Sequence, residues 1–291
     1  MVGRIFLFGS TGSIGRKIVE KFPQCIKVGR GKGCDRKFDA VNSSVDRILN
    51  DAGPNDVVIV AHAQVNHKLV VTQAGKMVNV FSVLNIIDLA KQKGFYFIFF
   101  SSEHQDSKSY LLNESELMNS YGGQKFFVEK AIRENLFNYS IIKVGPIVFP
   151  ETGTNCAVEK LFNTYKSFKK KIFCVTMGDQ FSLSRVCVVI EILRHVIKSR
   201  QKKHEIRIAQ KSYSSLRLLN DIQAVEKKPQ KLLIKKIGFN TFYRKDQNKL
   251  KKTILMPSQC DKSWNTYYRK YSLRPAIIRK VRILMGKKKF F

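Results

Sequence analysis

Gly3-Arg4-Ile5-Phe6-Leu7-Phe8-Gly9-Ser10-Thr11-Gly12-Ser13-Ile14-Gly15-Arg16 opens the chain with a short apolar run, three glycines at three-residue spacing and the start of an amphipathic stretch. Ile5–Phe8 predicts a buried strand and Ile14–Phe22 a helix, so the glycines fall in a strand-to-helix turn. Glycine permits φ > 0 and close backbone approach, and a helix N-terminus offers free N–H groups to an anion. Gly9, Thr11, Gly12, Ser13, Ile14 and Gly15 are therefore candidates for cradling a pyrophosphate. The plain alternative is a tight turn with no ligand. The position between an N-terminal strand and a helix is the context that favours the cradle.

Working outward, Asp56–Ala61 and Phe95–Phe100 are further apolar runs of strand length, and Cys25–Val28 and Tyr139–Val144 also read as strands. Helical stretches separate them: Ser43–Asn50, about Lys68 to Lys93, and Glu114–Asn135. Continuous apolar strands alternating with helices predict a parallel sheet covered on both faces, a Rossmann-like doubly wound α/β fold. In the second half Cys156–Phe168, Ser184–Lys198 and Ser214–Ala224 read as helices, with strands at Lys171–Val175 and Glu205–Ala209. Beyond about Lys227 the pattern weakens.

The second strand ends in Val28-Gly29-Arg30, with no acid to bind ribose hydroxyls. Arg16 and Arg30 suit a 2′-phosphate, which favours NADPH and leaves NADH open; both arginines also read as ordinary surface charges. Ser101 and Ser102 end the strand Phe95–Phe100, at the edge where open α/β sheets bind ligands. Tyr121 and Lys125 stand at i and i+4 of a helical stretch, on one face. A Lys ammonium beside a phenol lowers its pKa, so that Tyr121 can donate a proton near neutral pH.

The glycine spacing resembles that of extended short-chain dehydrogenases. Ser120-Tyr121-Gly122-Gly123-Gln124-Lys125, Glu129-Lys130-Ala131-Ile132 and Tyr139-Ser140-Ile141-Ile142-Lys143-Val144 resemble the dTDP-4-dehydrorhamnose reductase branch and its sugar-epimerase relatives. Val78-Asn79-Val80 and Gly178-Asp179-Gln180-Phe181 resemble segments of the same family. The resemblance covers roughly residues 3–200. It implies a smaller C-terminal substrate domain and reduction of a nucleotide-linked keto-sugar by NAD(P)H. It implies Tyr121 as proton donor, Lys125 holding the nicotinamide ribose and Ser102 bonded to the reacting carbonyl. Ala61-His62-Ala63 would line the cofactor, and Asp39, in a short third strand Phe38–Val41, would face the adenine. A small homo-oligomer, at its simplest a homodimer, is the state expected of such an enzyme. An epimerase or dehydratase retaining bound NAD, and a non-catalytic subunit of a larger assembly, are the competing readings. Lys143 departs from the family's usual Arg, and Leu183-Ser184-Arg185 departs from its small-residue and Pro-Thr stretch.

Apolar residues make up 44% of the 291, enough for an ordinary core, and the formal net charge is +31. Residues 1–150 carry a net +6 and residues 151–291 a net +25. This shift predicts a cofactor domain over 1–150 and a basic substrate-binding region over 151–291. The six cysteines have no C-x-x-C spacing and the five histidines no metal motif, so free thiols and no metal are expected. The N-terminus has no signal-peptide layout, and no apolar run reaches membrane-spanning length, which points to a reducing, cytoplasmic setting. Ile277, Ile278, Val281, Leu284 and Met285 recur at helical spacing among Arg274, Arg279, Lys280, Arg282 and Lys287–Lys289. Such a basic amphipathic tail suits the anionic inner membrane surface, or docks on its own domain. It lacks a recognised nucleic-acid-binding motif, which argues against nucleic acid as its partner.

Overall fold

The computed structural model describes residues 3–103, 112–151, 180–208 and 212–214, with 153–154, 156, 158–160, 162–163, 277–278, 280–281 and 283. The chain divides into two units, Met1–Val144 with Val189–Arg207, and Gly145–Val188 with Ile208–Phe291. In chain order the first elements are β1 (Ile5–Phe8), α1 (Ser13–Lys21), β2 (Ile26–Gly29), β3 (Arg36–Lys37), α2 (Val45–Ile48) and β4 (Val57–Val60). Then come α3 (His67–Val70), α4 (Gln73–Lys76), a π-helical turn at Met77–Phe81, α5 (Ser82–Lys93) and β5 (Tyr96–Ser102). Next are α6 (Glu114–Leu117), α7 (Tyr121–Asn135), β6 (Tyr139–Val144), β7 (Ile147–Val148), β8 (Gln180–Ser182) and β9 (Ser184–Arg185). The last are α8 (Val186–Ser199), β10 (His204–Ile208) and β11 (Ser212–Ser214).

The first unit is built on a seven-stranded sheet in the order β10-β6-β5-β4-β1-β2-β3. The pairs β1–β2, β1–β4, β4–β5, β5–β6 and β2–β3 are parallel. Every residue of β1, β4 and β5 is buried, because helices cover both faces of the central strands. This is the Rossmann-like doubly wound architecture expected from the apolar runs. Strand order reverses at β1, which places a ligand crevice at the carboxyl ends of β1 and β4.

Three local features differ from the sequence reading, each through side-chain capping. The single helix expected over Lys68–Lys93 is broken after Val70. There Thr72 Oγ accepts from Gly75 N at 3.1 Å and starts α4, which runs into the π turn and α5. The helix expected over Glu114–Asn135 is split at Met118–Ser120. Asn113 and Glu116 close a capping box on α6, and Ser120 Oγ accepts from Gly123 N at 2.9 Å to open α7. The third strand is Arg36–Lys37 instead of Phe38–Val41. Asp39 lies in the following turn, its Oδ1 accepting from Val41 N at 3.1 Å, the habit of a carboxylate folding its own turn.

In the second unit β7 pairs with β9 in parallel and β8 with β11 in antiparallel fashion. Buried Glu159 accepts from the backbone N–H groups of Gly153 (2.6 Å) and Thr154 (2.9 Å) and lies 3.4 Å from Lys280 Nζ. Ile277, Lys280 and Val281 are fully buried. At those positions the apolar stripe of the tail is therefore engaged within the chain. Leu284 and Met285, the strand Lys171–Val175, residues 215–224 of the helix expected over Ser214–Ala224, and Gly178 and Asp179 lie outside the described residues, while Ser214 ends β11. Cys25, Cys34, Cys156 and Cys187 are free thiols. Among the described residues no helix is long and apolar enough to cross a membrane.

Candidate active site

The glycine turn leaves β1 at Gly9, whose φ of +85° is the left-handed region that favours glycine. A Cβ there would stand 2.6 Å from the backbone nitrogen of His62, so the absence of a side chain lets the ends of β1 and β4 close up. Gly9 N–H donates to Val28 O and Gly12 N–H to Gly9 O, both at 3.0 Å, fixing the turn against β2. Gly15, in the first turn of α1, is buried against the Gly9 carbonyl, and its Cβ would collide with that oxygen. Gly12 caps α1 without any side-chain acceptor, and the first turn of α1 holds no acid. The first-turn N–H groups and the positive end of the helix dipole thus meet no competing carboxylate of that turn. A bound anion such as a pyrophosphate fits this arrangement.

Around this cradle the expected residues take up different roles. Thr11 and Gly12 are exposed and Ser13 and Ile14 half-buried, while Arg16 and Arg30 are exposed and have no acidic partner among the described residues. Asp39 is half-buried and engaged in its own turn. Ala61 is half-buried and Ala63 exposed. The His62 ring, between them, packs 6.1 Å from both the Phe8 and Phe38 rings and places Nε2 3.2 Å from Ser82 Oγ. Burial pushes its pKa down to about 4, so it is a neutral imidazole at physiological pH, with Nδ1 enclosed and unbonded.

The second cluster lies at the end of β5 and the start of α7. Ser102 is buried at the last position of β5. Tyr121 is the first residue of α7, one turn before Lys125 on the same face. Lys125 is fully buried, donates from Nζ to the Phe100 carbonyl at 3.0 Å, and sits 4.3 Å from the Phe99 ring centroid and 5.8 Å from that of Tyr121. Burial pushes the Lys125 pKa down to about 7, against the opposing pull of Glu129, and pushes Tyr121 up to about 12. The expected lowering of the Tyr121 pKa by Lys125 is thus not present in the resting site. Burial is the cause of the Tyr121 rise, and the Lys125 ammonium is directed instead to the Phe100 carbonyl on β5.

Three buried polar residues organise this site and were not among the expected site residues. Glu129 is fully buried, accepts from Ser101 Oγ at 2.5 Å, and has Arg133 Nη2 and Lys143 Nζ each at 2.7 Å. Lys143, in place of the family's usual Arg, is thereby charge-paired from β6. Gln124 donates to Val70 O (3.0 Å) and Met118 O (2.8 Å) and accepts from Asn79 Nδ2 (2.8 Å). Asn79, in the π turn, holds both backbone groups of Gln64 and so fixes the loop after β4. Their common sequence signal is a polar residue on the apolar face of a helix, as in Val78-Asn79-Val80.

The fold defines the chain as a Rossmann-like α/β protein with a glycine cradle at its switch point. No protein-family model matches the sequence, and neither does any curated protein. Solved structures do resemble it. A dTDP-4-dehydrorhamnose reductase from Bacillus anthracis, in complex with NADP, has 15% identity and a TM-score of 0.60, over 81% of this chain and 85% of that one. A UDP-N-acetylglucosamine 4-epimerase from Methanobrevibacter ruminantium has 15% identity and a TM-score of 0.62, over 98% of each chain. A UDP-glucuronic acid 4-epimerase from Bacillus cereus, in complex with UDP-glucuronic acid and NAD, has 14% identity and a TM-score of 0.63, over 80% and 86%. At these identities the likeness establishes the fold.

Proposed function

We propose that the chain is an NADPH-dependent reductase of a nucleotide-linked keto-sugar. The observation that carries this reading is one unit holding both parts of the machinery. It has an anion cradle at Gly9–Gly15, and it has Ser102, Tyr121 and Lys125 at the end of β5 and the start of α7. Structural relatives described as NADP and NAD complexes support the cofactor class. Arg16 and Arg30, exposed and with no acidic partner among the described residues, favour a 2′-phosphate. When bound, the cofactor supplies hydride to the carbonyl carbon. Ser102 donates a hydrogen bond to the carbonyl oxygen. Tyr121, kept protonated by burial, gives that oxygen its proton. As Tyr121 becomes negative, the ammonium form of Lys125 is favoured across the 5.8 Å separating it from the ring. On this reading the Tyr/Lys coupling acts during proton transfer and not in the resting site.

The test is NADPH oxidation over a panel of keto-sugar nucleotides, with Tyr121→Phe as comparison. The wild type consumes NADPH with one member of the panel, and the variant loses at least a hundredfold in kcat while still binding NADPH. Full turnover by the variant sinks the assignment of Tyr121. The epimerase alternative is favoured by a likeness that spans 98% of this chain. NAD released from the denatured protein, with no net NADPH consumption, is its signature. Attachment to an anionic inner membrane surface through residues 273–291 is a separate proposal. It is supported by the lysines and arginines of the tail and opposed by the burial of Ile277 and Val281. Vesicle flotation with and without those residues decides it.

A further inference from the structure

The opposite edge of the sheet, where the strands begin, carries a feature that the proposed reaction does not use. Phe137 precedes β6 and is 55% exposed. The ammonium groups of Lys202 and Lys203, from the turn before β10, stand 4.7 and 5.2 Å from its ring centroid. That turn is tightly built. Arg200 and Lys203 take positive φ (44° and 49°), a conformation costly for residues with side chains. The turn is held by Arg200 Nη2 donating to Asn55 O (2.7 Å), Tyr96 Oη donating to Gln201 O (2.6 Å) and Lys203 N–H donating to Phe137 O (3.2 Å). Beside the ring lies a cavity of about 160 Å³ lined by Lys91, Gly94, Asn135 and Asn138 among others.

Charge and size narrow the occupant. Lys91, Lys202 and Lys203 are exposed and have no acidic partner among the described residues. Nearby Glu134 is paired with Lys130 at 3.9 Å, and Asp56 with Arg4 at 2.8 Å. The surplus is therefore positive, in a chain of net charge +31. The cavity is well below the roughly 300–1,000 Å³ of ordinary small-molecule sites, so it takes a fragment of a larger partner. A lipid surface wants an apolar face, whereas this ring is isolated and rimmed by Asn135 and Asn138. A flat exposed aromatic flanked by flexible cations matches a base-stacking platform with phosphate partners on either side.

We propose that Phe137, Lys202, Lys203 and Lys91 form a binding platform for single-stranded nucleic acid. One base stacks on Phe137 beside the cavity, and Lys202 and Lys203 leave the ring for adjacent phosphates. The platform is independent of the reductase reading and lies on the other edge of the sheet from the glycine cradle. It uses none of the tail's residues, whose lack of a motif argued against nucleic acid.

The experiment is fluorescence anisotropy of the full chain with labelled 12-nucleotide oligo(U) and oligo(dT), at several salt concentrations. Phe137→Leu is expected to weaken binding about tenfold, the order that loss of one base–aromatic stack gives. Phe137→Trp keeps or strengthens binding. Removing two phosphate contacts with K202Q/K203Q lowers the slope of log K against log salt by about 1.4. The charge-matched K32Q/K68Q pair, both exposed after the carboxyl ends of β2 and β4, leaves the anisotropy midpoint nearly in place. Unchanged thermal midpoints exclude misfolding as the cause. A response of Phe137→Leu equal to wild type overturns the proposal. So does an equal loss in both lysine pairs, or displacement of the oligonucleotide by NADPH, which would move binding to the cradle. Loss of binding to phosphatidylserine vesicles in the platform variants with oligonucleotide binding intact also overturns it, in favour of a membrane. The difference between oligo(U) and oligo(dT) tells whether RNA or DNA is the preferred strand.

Discussion

Replacing Lys125 by methionine tests the energetics of the site, because the same burial that shapes Lys125 for function destabilises the fold. An amine whose pKa falls from 10.5 to about 7 on folding has lost about 5 kcal/mol of preference for its charged form. The sign follows from proton uptake. Between pH 7 and 10.5 the unfolded chain binds the extra proton, so stability rises with pH by about 1.4 kcal/mol per pH unit in that window. Below pH 7 the full penalty applies, and above 10.5 it is gone. Lys125→Met fills similar space without a charge. It forfeits the hydrogen bond to the Phe100 carbonyl, at a cost of about 1–3 kcal/mol for leaving that oxygen unpaired. The net expectation is a variant about 2–4 kcal/mol more stable than wild type at pH 6–7, with the advantage vanishing and reversing towards pH 10. Urea unfolding of both proteins at pH 6, 7, 8 and 9 measures this directly. The same variant is expected to lose keto-sugar reduction. A stability difference that does not change with pH would refute the claim that Lys125 is desolvated in the folded state.

Other substitutions probe the remaining parts. Gly15→Ala forces a methyl group into the Gly9 carbonyl, so a loss of about 1–3 kcal/mol in stability and of NADPH binding by calorimetry is expected. Glu129→Gln takes one of two carboxylates from Arg133 and Lys143, which are partly exposed and keep Glu205, and a loss of about 1–3 kcal/mol in urea unfolding checks it. His62, neutral because its pKa is pushed to about 4, contributes stability that is lost as pH falls from 6.5 to 4. In His62→Leu the acid limb of the stability curve between those values flattens by about 3 kcal/mol, seen in thermal midpoints across that range.

Much of the fold is legible in the sequence because it rests on local and periodic signals. Ile5–Phe8, Val57–Val60 and Tyr96–Phe100 are continuous apolar runs, and a strand covered on both faces has that pattern and little else. Gly9 and Gly15 mark the cradle because no other residue permits that turn and that approach. The i, i+4 spacing by itself puts Tyr121 and Lys125 on one helix face. Tertiary structure decides what depends on groups distant in the chain. The Lys125 pKa is set by its burial, opposed by Glu129, and Tyr121 is raised by its own burial; no spacing encodes that enclosure, so the sequence-based expectation for Tyr121 had the opposite sign. Thr72 and Ser120 break helices that periodicity alone would continue, because a cap competes with one more helical turn and burial chooses between them. Phe137 comes to lie against Lys202 and Lys203, more than sixty residues later, only because β6 and β10 are neighbours in the sheet. Chemistry-bearing residues are therefore readable one element at a time, whereas their protonation states and partners are fixed by the packing of β5, β6, α7 and β10.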